Sequence, residues 1–389
     1  MMESTIIIQK NDSTVMLAKL DEGRLSQLEI SCEEELTLGS VFVGTVSKYV
    51  PNLNGYFINI GKSTQGYLSI KNIPKVLGSI HEGKKVLVQI IKESHHSKPP
   101  KLTCDIEIKY NSIVYMPYSD NNYFSKKLSK KRKIELEKYI SYLDNKGFIF
   151  RTECEKLKNN EINYFIDVCI ALFNNWVSEM NNYKHPKLLN KRNIIIESLE
   201  LNAPEEISKI IVNDYEIARQ LMDTSYRELI RIESGNETLF EKYFIEQELQ
   251  KLLNREVKLR SGGSIFIDET ETLTVIDVNS GSYISNNAGE KGLLDVNVEA
   301  AYEIAHQLTL RNIGGIVIID FINLDNASNK EKLLSVVETA FSNDKNKVNI
   351  QGFTKLNLLE LTRERSGKSL SQKKTEICYK CNGAGRVQK

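Results

Sequence analysis

Hydrophobic positions along this chain follow two periods, short β-like runs near the start and a helical spacing farther on. Thr5–Ile8, Thr14–Leu17 and Leu25–Ile30 are apolar runs broken by Asn11-Asp12-Ser13 and Asp21-Glu22-Gly23, a pattern that predicts a small β-meander. From Gly39 the runs are punctuated by glycine: Val41–Val50, Asn54–Gly61, Gln65–Ile70 and Lys84–Ile91. Strands at that density suggest a small closed barrel such as an OB-fold. A further strand-like stretch reaches Pro117, after which apolar residues at helical spacing predict helices over Lys131–Leu143 and Ile162–Met180. Between them Gly147–Phe150 reads as a short strand that ends on Arg151 and Thr152. Another helix is predicted over Asn236–Leu253. The last third alternates strands (Gly263–Asp268, Leu273–Asn279, Ile316–Phe321) with helices over 290–311 and 329–342. That is the rhythm of an α/β sheet, whose functional residues are expected at the strand C-termini.

Two acids break this pattern. Asp277 and Asp320 each end a dense apolar run that reads as a strand buried on both faces, where a carboxylate is costly unless compensated. A divalent cation would compensate both. Asn279, two residues after Asp277, projects to the same side of an extended strand and adds an amide to that face. For either acid alone, capping of a following loop or helix is the competing explanation. Phe57 and Tyr67 fall on neighbouring predicted strands, as stacking platforms for unpaired bases or as core residues. Arg151-Thr152 at a strand end offers a guanidinium fork and a hydroxyl to a phosphate, with a surface ion pair as the alternative.

Composition narrows the class. With 389 residues and 41% hydrophobic content the chain can bury more than one core, and length suggests two to four domains. No window approaches the ~18 consecutive apolar residues of a membrane span, and the start lacks a secretory pattern, so a cytoplasmic protein is expected. Lys plus Arg total 52 against 51 for Asp plus Glu, so nucleic-acid binding would need local basic surfaces rather than net charge. Lys126, Lys127, Lys130, Lys131, Arg132 and Lys133 form one such cluster, which also reads as a solvated helix face. Cys32, Cys104, Cys154 and Cys169 have no spacing partner, which fits a reducing compartment. Cys378 and Cys381 form a C-x-x-C. It supplies two thiolates where a structural zinc takes four ligands, so half a site per chain points to a dimer. Half of a chaperone-type zinc repeat, a redox pair and unlinked thiols are the other readings.

Three stretches, in order and at the right spacing, resemble the ribonuclease E/G family: Arg255 through Gly281, containing Thr-Val-Ile-Asp277-Val-Asn279, then Gly314–Ile322, and finally Cys378-Tyr-Lys-Cys381. The resemblance covers nearly the whole chain. It implies an α/β multidomain fold: a ribonuclease-H-like domain split over 1–36 and 190–252, an OB-fold RNA-binding barrel over 37–103, a 5′-sensor region over 104–189, a deoxyribonuclease-I-like catalytic domain over 253–374 and a zinc-link over 375–389. Carried over, the family's magnesium ligands fall on Asp277 and Asp320 and its active-site asparagine on Asn279. Its RNA contacts fall on Phe57, Tyr67 and Lys98, and its 5′-monophosphate pocket on Val114, Arg151 and Thr152, with Lys347 in place of a second arginine. In this family the cysteines of two protomers share one Zn2+, which implies a homodimer linked through Cys378 and Cys381. The implied activity is Mg2+-dependent endonucleolytic cleavage of single-stranded RNA, in mRNA decay or rRNA-precursor processing, leaving 5′-phosphate and 3′-hydroxyl ends. Besides Lys347, two positions depart from the family pattern: Tyr110, where glycine is common and a ring would crowd the pocket, and Asn323, where a second acid is common. Asn323 is the main support for the alternative, a catalytically weak RNA-binding factor.

Overall fold

The expected meander forms as β1 (Ser4–Asn11), β2 (Thr14–Asp21) and β3 (Arg24–Cys32), paired antiparallel in sequence order. The structure, a computed structural model, describes residues 4–32, 36–61, 64–94, 98–142, 146–191, 193–222, 224–281, 289–381, 383 and 385. The chain divides into two units, one of residues 1–35 with 193–389 and the other of 36–192.

In the 36–192 unit, β4 (Val41–Val50), β5 (Gly55–Gly61), β6 (Thr64–Ser69), β7 (Lys85–Lys92) and β8 (Lys101–Thr103) pair in the order β4-β5-β6-β8-β7, and β7 returns to β4. The result is a closed, OB-like five-stranded barrel filled by Val46, Ile58, Leu68, Val88, Ile90 and Leu102. Beyond it, β9 (Ile108–Tyr110), β10 (Ile113–Tyr115), β11 (Tyr123–Phe124) and β12 (Phe148–Phe150) make a four-stranded sheet in the order β11-β12-β10-β9. Helices α1 (Lys130–Tyr142) and α2 (Asn159–Glu179) share its core through Leu136, Ile140, Ile162 and Ile166. β13 (Lys187–Asn190) then runs antiparallel to β4.

In the other unit, α3 (Ile194–Leu199) leads to β14 (Ile207–Val212), which lies parallel to β1, and α4 (Tyr215–Met222) to β15 (Ile230–Ile232), giving the mixed order β15-β14-β1-β2-β3. Helices α3 and α4 cover one face; α5 (Leu239–Lys242) and α6 (Ile245–Leu252) cover the other. Burial on both faces explains why Ile6, Ile7 and Ile8 are consecutive and all 0% exposed. The single helix expected over 236–253 is instead two. Thr238 caps α5 by accepting from the Glu241 amide, and Phe244 at φ 57° interrupts the helix before α6.

The second sheet of this unit comprises β16 (Glu256–Lys258), β17 (Ser264–Glu269), β18 (Leu273–Asn279), β19 (Gly315–Asp320), β20 (Val348–Phe353) and β21 (Leu359–Arg363), in the order β16-β17-β18-β19-β21-β20. Helices α7 (Glu290–Leu310) and α8 (Ala327–Ala340) pack on one face, over Ile276, Val278, Val317 and Ile319. The other face is open: Val275 and Ile316 are 38% and 45% exposed. Strands buried on both faces, as read from their β-branched runs, are therefore corrected to strands buried on one. Thr274, Ile276 and Val278 alternate inward, while Val275, Asp277 and Asn279 alternate outward. A short helix, α9 (Leu370–Lys374), follows the sheet. Among the described residues no helix is long and apolar enough to cross a membrane.

Candidate active site and nucleic-acid interface

β18 and β19 run parallel, and their register sets Asp277 directly opposite Asp320. Both side chains leave the open face, on strands that lie about 4.8 Å apart. Like charges directly opposite one another on adjacent strands disfavour each other. Among the described residues no lysine or arginine forms an ion pair with either, and the only hydrogen bond to the pair comes from Asn279, whose Nδ2 donates to Asp277 Oδ2 at 2.7 Å. An unneutralised pair of hard oxygen donors, one held by an amide, suits a small cation that keeps several waters and takes one or two protein carboxylates. Among the described residues no group of three or more His, Cys, Asp or Glu side chains is placed to hold a metal ion, so the acid pair stands without a third such donor. Both acids are solvent-exposed, so desolvation does not demand a cation.

Two buried polar groups that sequence reasoning missed hold this region in place. Asn297 on α7, 0% exposed, donates Nδ2 to the Ile322 carbonyl at 2.8 Å and accepts from the Ile322 amide at 3.0 Å, pinning the chain just after Asp320. Arg363 on β21 is also buried. It donates to both Asp344 carboxylate oxygens, at 2.7 and 3.0 Å, and to the Ile313 carbonyl at 2.8 Å, securing the entry to β19. An asparagine inside an apolar helical stripe was the one available signal for the first; nothing in the sequence singled out the second. Asn323 lies exposed in the loop after β19.

On the barrel, Phe57 and Tyr67 stand directly opposite one another on β5 and β6, ring centroids 6.2 Å apart in an edge-to-face arrangement. Both are partly exposed. The same row extends to Lys48 on β4, whose Nζ lies 5.7 Å from the Phe57 centroid, and to Lys101 on β8, opposite Tyr67. The row therefore reads cation, ring, ring, cation. Lys48 and Lys101 were not singled out from the sequence, because their place beside the rings depends on strand register. Tyr67 Oη donates to the Leu53 carbonyl at 2.5 Å, and Lys98 lies exposed, three residues before Lys101.

Val114 is buried in the middle of β10, while Arg151 and Thr152 follow β12. The Arg151 amide donates to the Ser112 carbonyl at 2.9 Å, and the Thr152 hydroxyl lies 2.9 Å from that of Ser125. Tyr110 packs against Phe165 of α2, ring centroids 5.6 Å apart, on the sheet face opposite Val114. Lys347 belongs to the other unit, where it is exposed just before β20. Within the basic cluster, Arg132 serves structure: it donates to the carbonyls of Cys154 and Leu157 and to Asn159, tying down the segment after Thr152.

At the other end of the chain, Cys378 is exposed and Cys381 partly so. Backbone amides of Cys381 and Lys380, then the Cys381 side chain, hydrogen-bond the Cys378 sulfur and hold its pKa below that of an ordinary thiol. Amide-stabilised thiolate is the form a zinc ion takes, and the sulfurs of Cys378 and Cys381 together would supply half of a tetrahedral set.

Comparison with known proteins places this geometry. The sequence profile described as "Ribonuclease E/G family" matches residues 107–366. The chain is 28% identical to Ribonuclease G of Escherichia coli strain K12, an alignment that spans 100% of this chain and 85% of that protein. Against Ribonuclease G of Haemophilus influenzae the identity is 27%, over 98% and 84% of the two chains. With Ribonuclease E of E. coli strain K12 it is 27%, over 100% of this chain and 39% of the longer relative. The chain belongs to the ribonuclease E/G family of endoribonucleases, metal-dependent nucleases that act on RNA.

Proposed function

We propose that Asp277 and Asp320 hold a hydrated Mg2+ at the cleavage site, and that the protein cuts single-stranded RNA to leave 5′-phosphate and 3′-hydroxyl ends. The observation that carries this reading is the in-register pairing of two exposed, unneutralised carboxylates at the ends of parallel strands. When bound, magnesium would neutralise charge on the scissile phosphate and make a water acidic enough to attack phosphorus in line. Asn279 keeps the Asp277 carboxylate in one orientation, and Asn297 fixes the backbone that follows Asp320. Single strands are favoured because the Phe57–Tyr67 row needs unstacked bases, and Lys48, Lys98 and Lys101 supply charge for the backbone.

In this reading 1–36 with 190–252 is the ribonuclease-H-like domain, 37–103 the RNA-binding barrel, 104–189 the 5′-sensor, 253–374 the deoxyribonuclease-I-like nuclease and 375–389 the zinc-link. Val114, Arg151 and Thr152 belong to the 5′-phosphate pocket, where an arginine grips phosphate through a planar fork. Cys378 and Cys381 share zinc with a second copy of the chain. The protein works in the cytoplasm, on mRNA and rRNA precursors.

The test is cleavage of a short single-stranded RNA with Mg2+ by the wild type, Asp277→Asn and Asp320→Asn. Each substitution should lower kcat by at least about a thousandfold, as loss of several kcal/mol of charge stabilisation requires, with RNA affinity kept. RNA binding with no Mg2+-dependent cutting by the wild type would instead favour the weak RNA-binding factor, for which the exposed amide of Asn323 is the supporting feature.

A further inference from the structure

On the open face of the nuclease sheet, the row that contains the acid pair continues from Asp277 to Phe266 on β17. Over that ring lies the guanidinium of Arg255, its Cζ 5.4 Å from the centroid. Asp268 grips the same group through two parallel bonds, from Nε at 2.5 Å and Nη2 at 2.7 Å. The remaining nitrogen, Nη1, has no hydrogen-bond partner among the described residues, and the side chain is 64% exposed. Asp268 raises the proton affinity of the guanidinium, and the charge of Asp277 adds to that, which places the group within electrostatic reach of the acid pair. One row along, Asn279 is opposite Ser264, and Ser264 is opposite Lys258 on β16. The Lys258 ammonium is exposed and has no ion-pair or hydrogen-bond partner among the described residues.

An exposed ion pair is ordinarily worth little, and fixing an arginine costs side-chain entropy. Here a ring and a bidentate carboxylate restrain one guanidinium with an edge left free on the face that carries the acids. A guanidinium edge and an ammonium in adjacent rows suit a phosphodiester oxygen. Glu256 on β16, opposite Phe266, is exposed in the same row, so the β16 side is marked by the free guanidinium edge and the Lys258 ammonium and not by its net charge. Toward β21 the face carries Ile318 opposite Glu360.

We propose that Arg255, with Lys258 beside it, binds a phosphate of the RNA flanking the scissile one, so that the strand crosses the open face from β18 toward β16. The proposal rests on Asp277 and Asp320 marking the cleavage site. Asp268 and Phe266 are positioning residues for the guanidinium.

The test uses the full chain and a single-stranded RNA oligonucleotide of about ten nucleotides. In an Asp320→Asn background, which separates binding from cutting, Arg255→Gln should raise Kd about tenfold. It should also lower the slope of log affinity against log salt by about 0.7, the loss of one phosphate contact on a single strand. In the active enzyme Arg255→Gln should raise KM by a similar factor with kcat changed by less than about threefold, and Arg255→Lys should recover part of the affinity. Lys258→Gln should shift Kd and slope in the same direction, by less. Unchanged Kd and slope in Arg255→Gln would overturn the proposal. So would a lowered melting temperature with reduced kcat and unaltered KM, the signature of a structural ion pair. Normal cutting by Asp320→Asn would remove the cleavage-site reading instead, an outcome the salt slope does not share.

Discussion

At the scale of single residues, glycine decides whether the barrel row can exist. A Cβ on Gly55 would fall 2.6 Å from the Leu68 carbonyl oxygen and 2.6 Å from the ring of Tyr67. The backbone cannot yield as a flexible side chain would, so Gly55→Ala should push the tyrosine off the row and cost about 1–3 kcal/mol of stability. RNA affinity should fall about tenfold, close to the effect of Tyr67→Ala, since stacking on one ring is worth about 1–3 kcal/mol. Fluorescence anisotropy with a labelled single strand measures this, and an affinity equal to wild type would remove Tyr67 from the binding surface. Asp277 and Asp320 were legible as candidates because each ends an apolar run, Asn279 from its spacing to Asp277, and Phe57 and Tyr67 from their place on neighbouring predicted strands. Lys48, Lys101 and Arg255 were not. A lysine one or two strands along the chain from a ring looks like any solvated charge until register places the two side by side.

At the scale of elements, strand positions were readable and facing was not. Leu273–Asn279 was located to the residue, yet its β-branched run does not distinguish a strand covered twice from one covered once. Local signals also missed the break at Phe244, because capping at Thr238 and periodicity through Leu253 are compatible with one helix or two. The connection after β19 shows what an element boundary contributes to chemistry. Asn297 makes both hydrogen bonds to Ile322 from a fully buried position, two residues past Asp320. Asn297→Leu preserves volume but strands an N–H and a C=O, at about 1–3 kcal/mol for each. Thermal unfolding should report that loss. Cleavage should fall by about tenfold or more in kcat with KM nearly constant, since the substitution touches no RNA but loosens the backbone that carries one acid. A stability loss with wild-type kcat would show that the pin serves folding alone.

At the scale of the whole molecule, six cysteines divide by environment in a way that tests the proposed assembly. Burial pushes the thiols of Cys104, Cys154 and Cys169 up to about 12, so they stay protonated and unreactive while the fold is intact. Hydrogen bonds from the Cys381 and Lys380 amides pull Cys378 the other way. A lowered thiol pKa means that thiolate persists as the pH falls below the ordinary thiol range, and that metal affinity is lost only once the pH drops through the lowered value. Three results should follow together. Metal-free protein should be alkylated fastest at Cys378, with a pH midpoint below that of a free thiol. Stoichiometric zinc, one ion per two chains, should protect both Cys378 and Cys381. Sedimentation should show a dimer with zinc, and dissociation on chelation, on acidification or in Cys378→Ser. Protection at one zinc per chain with no change in mass would mean that a single protomer completes the site, and the shared-ion dimer would have to be abandoned while the nuclease reading stood.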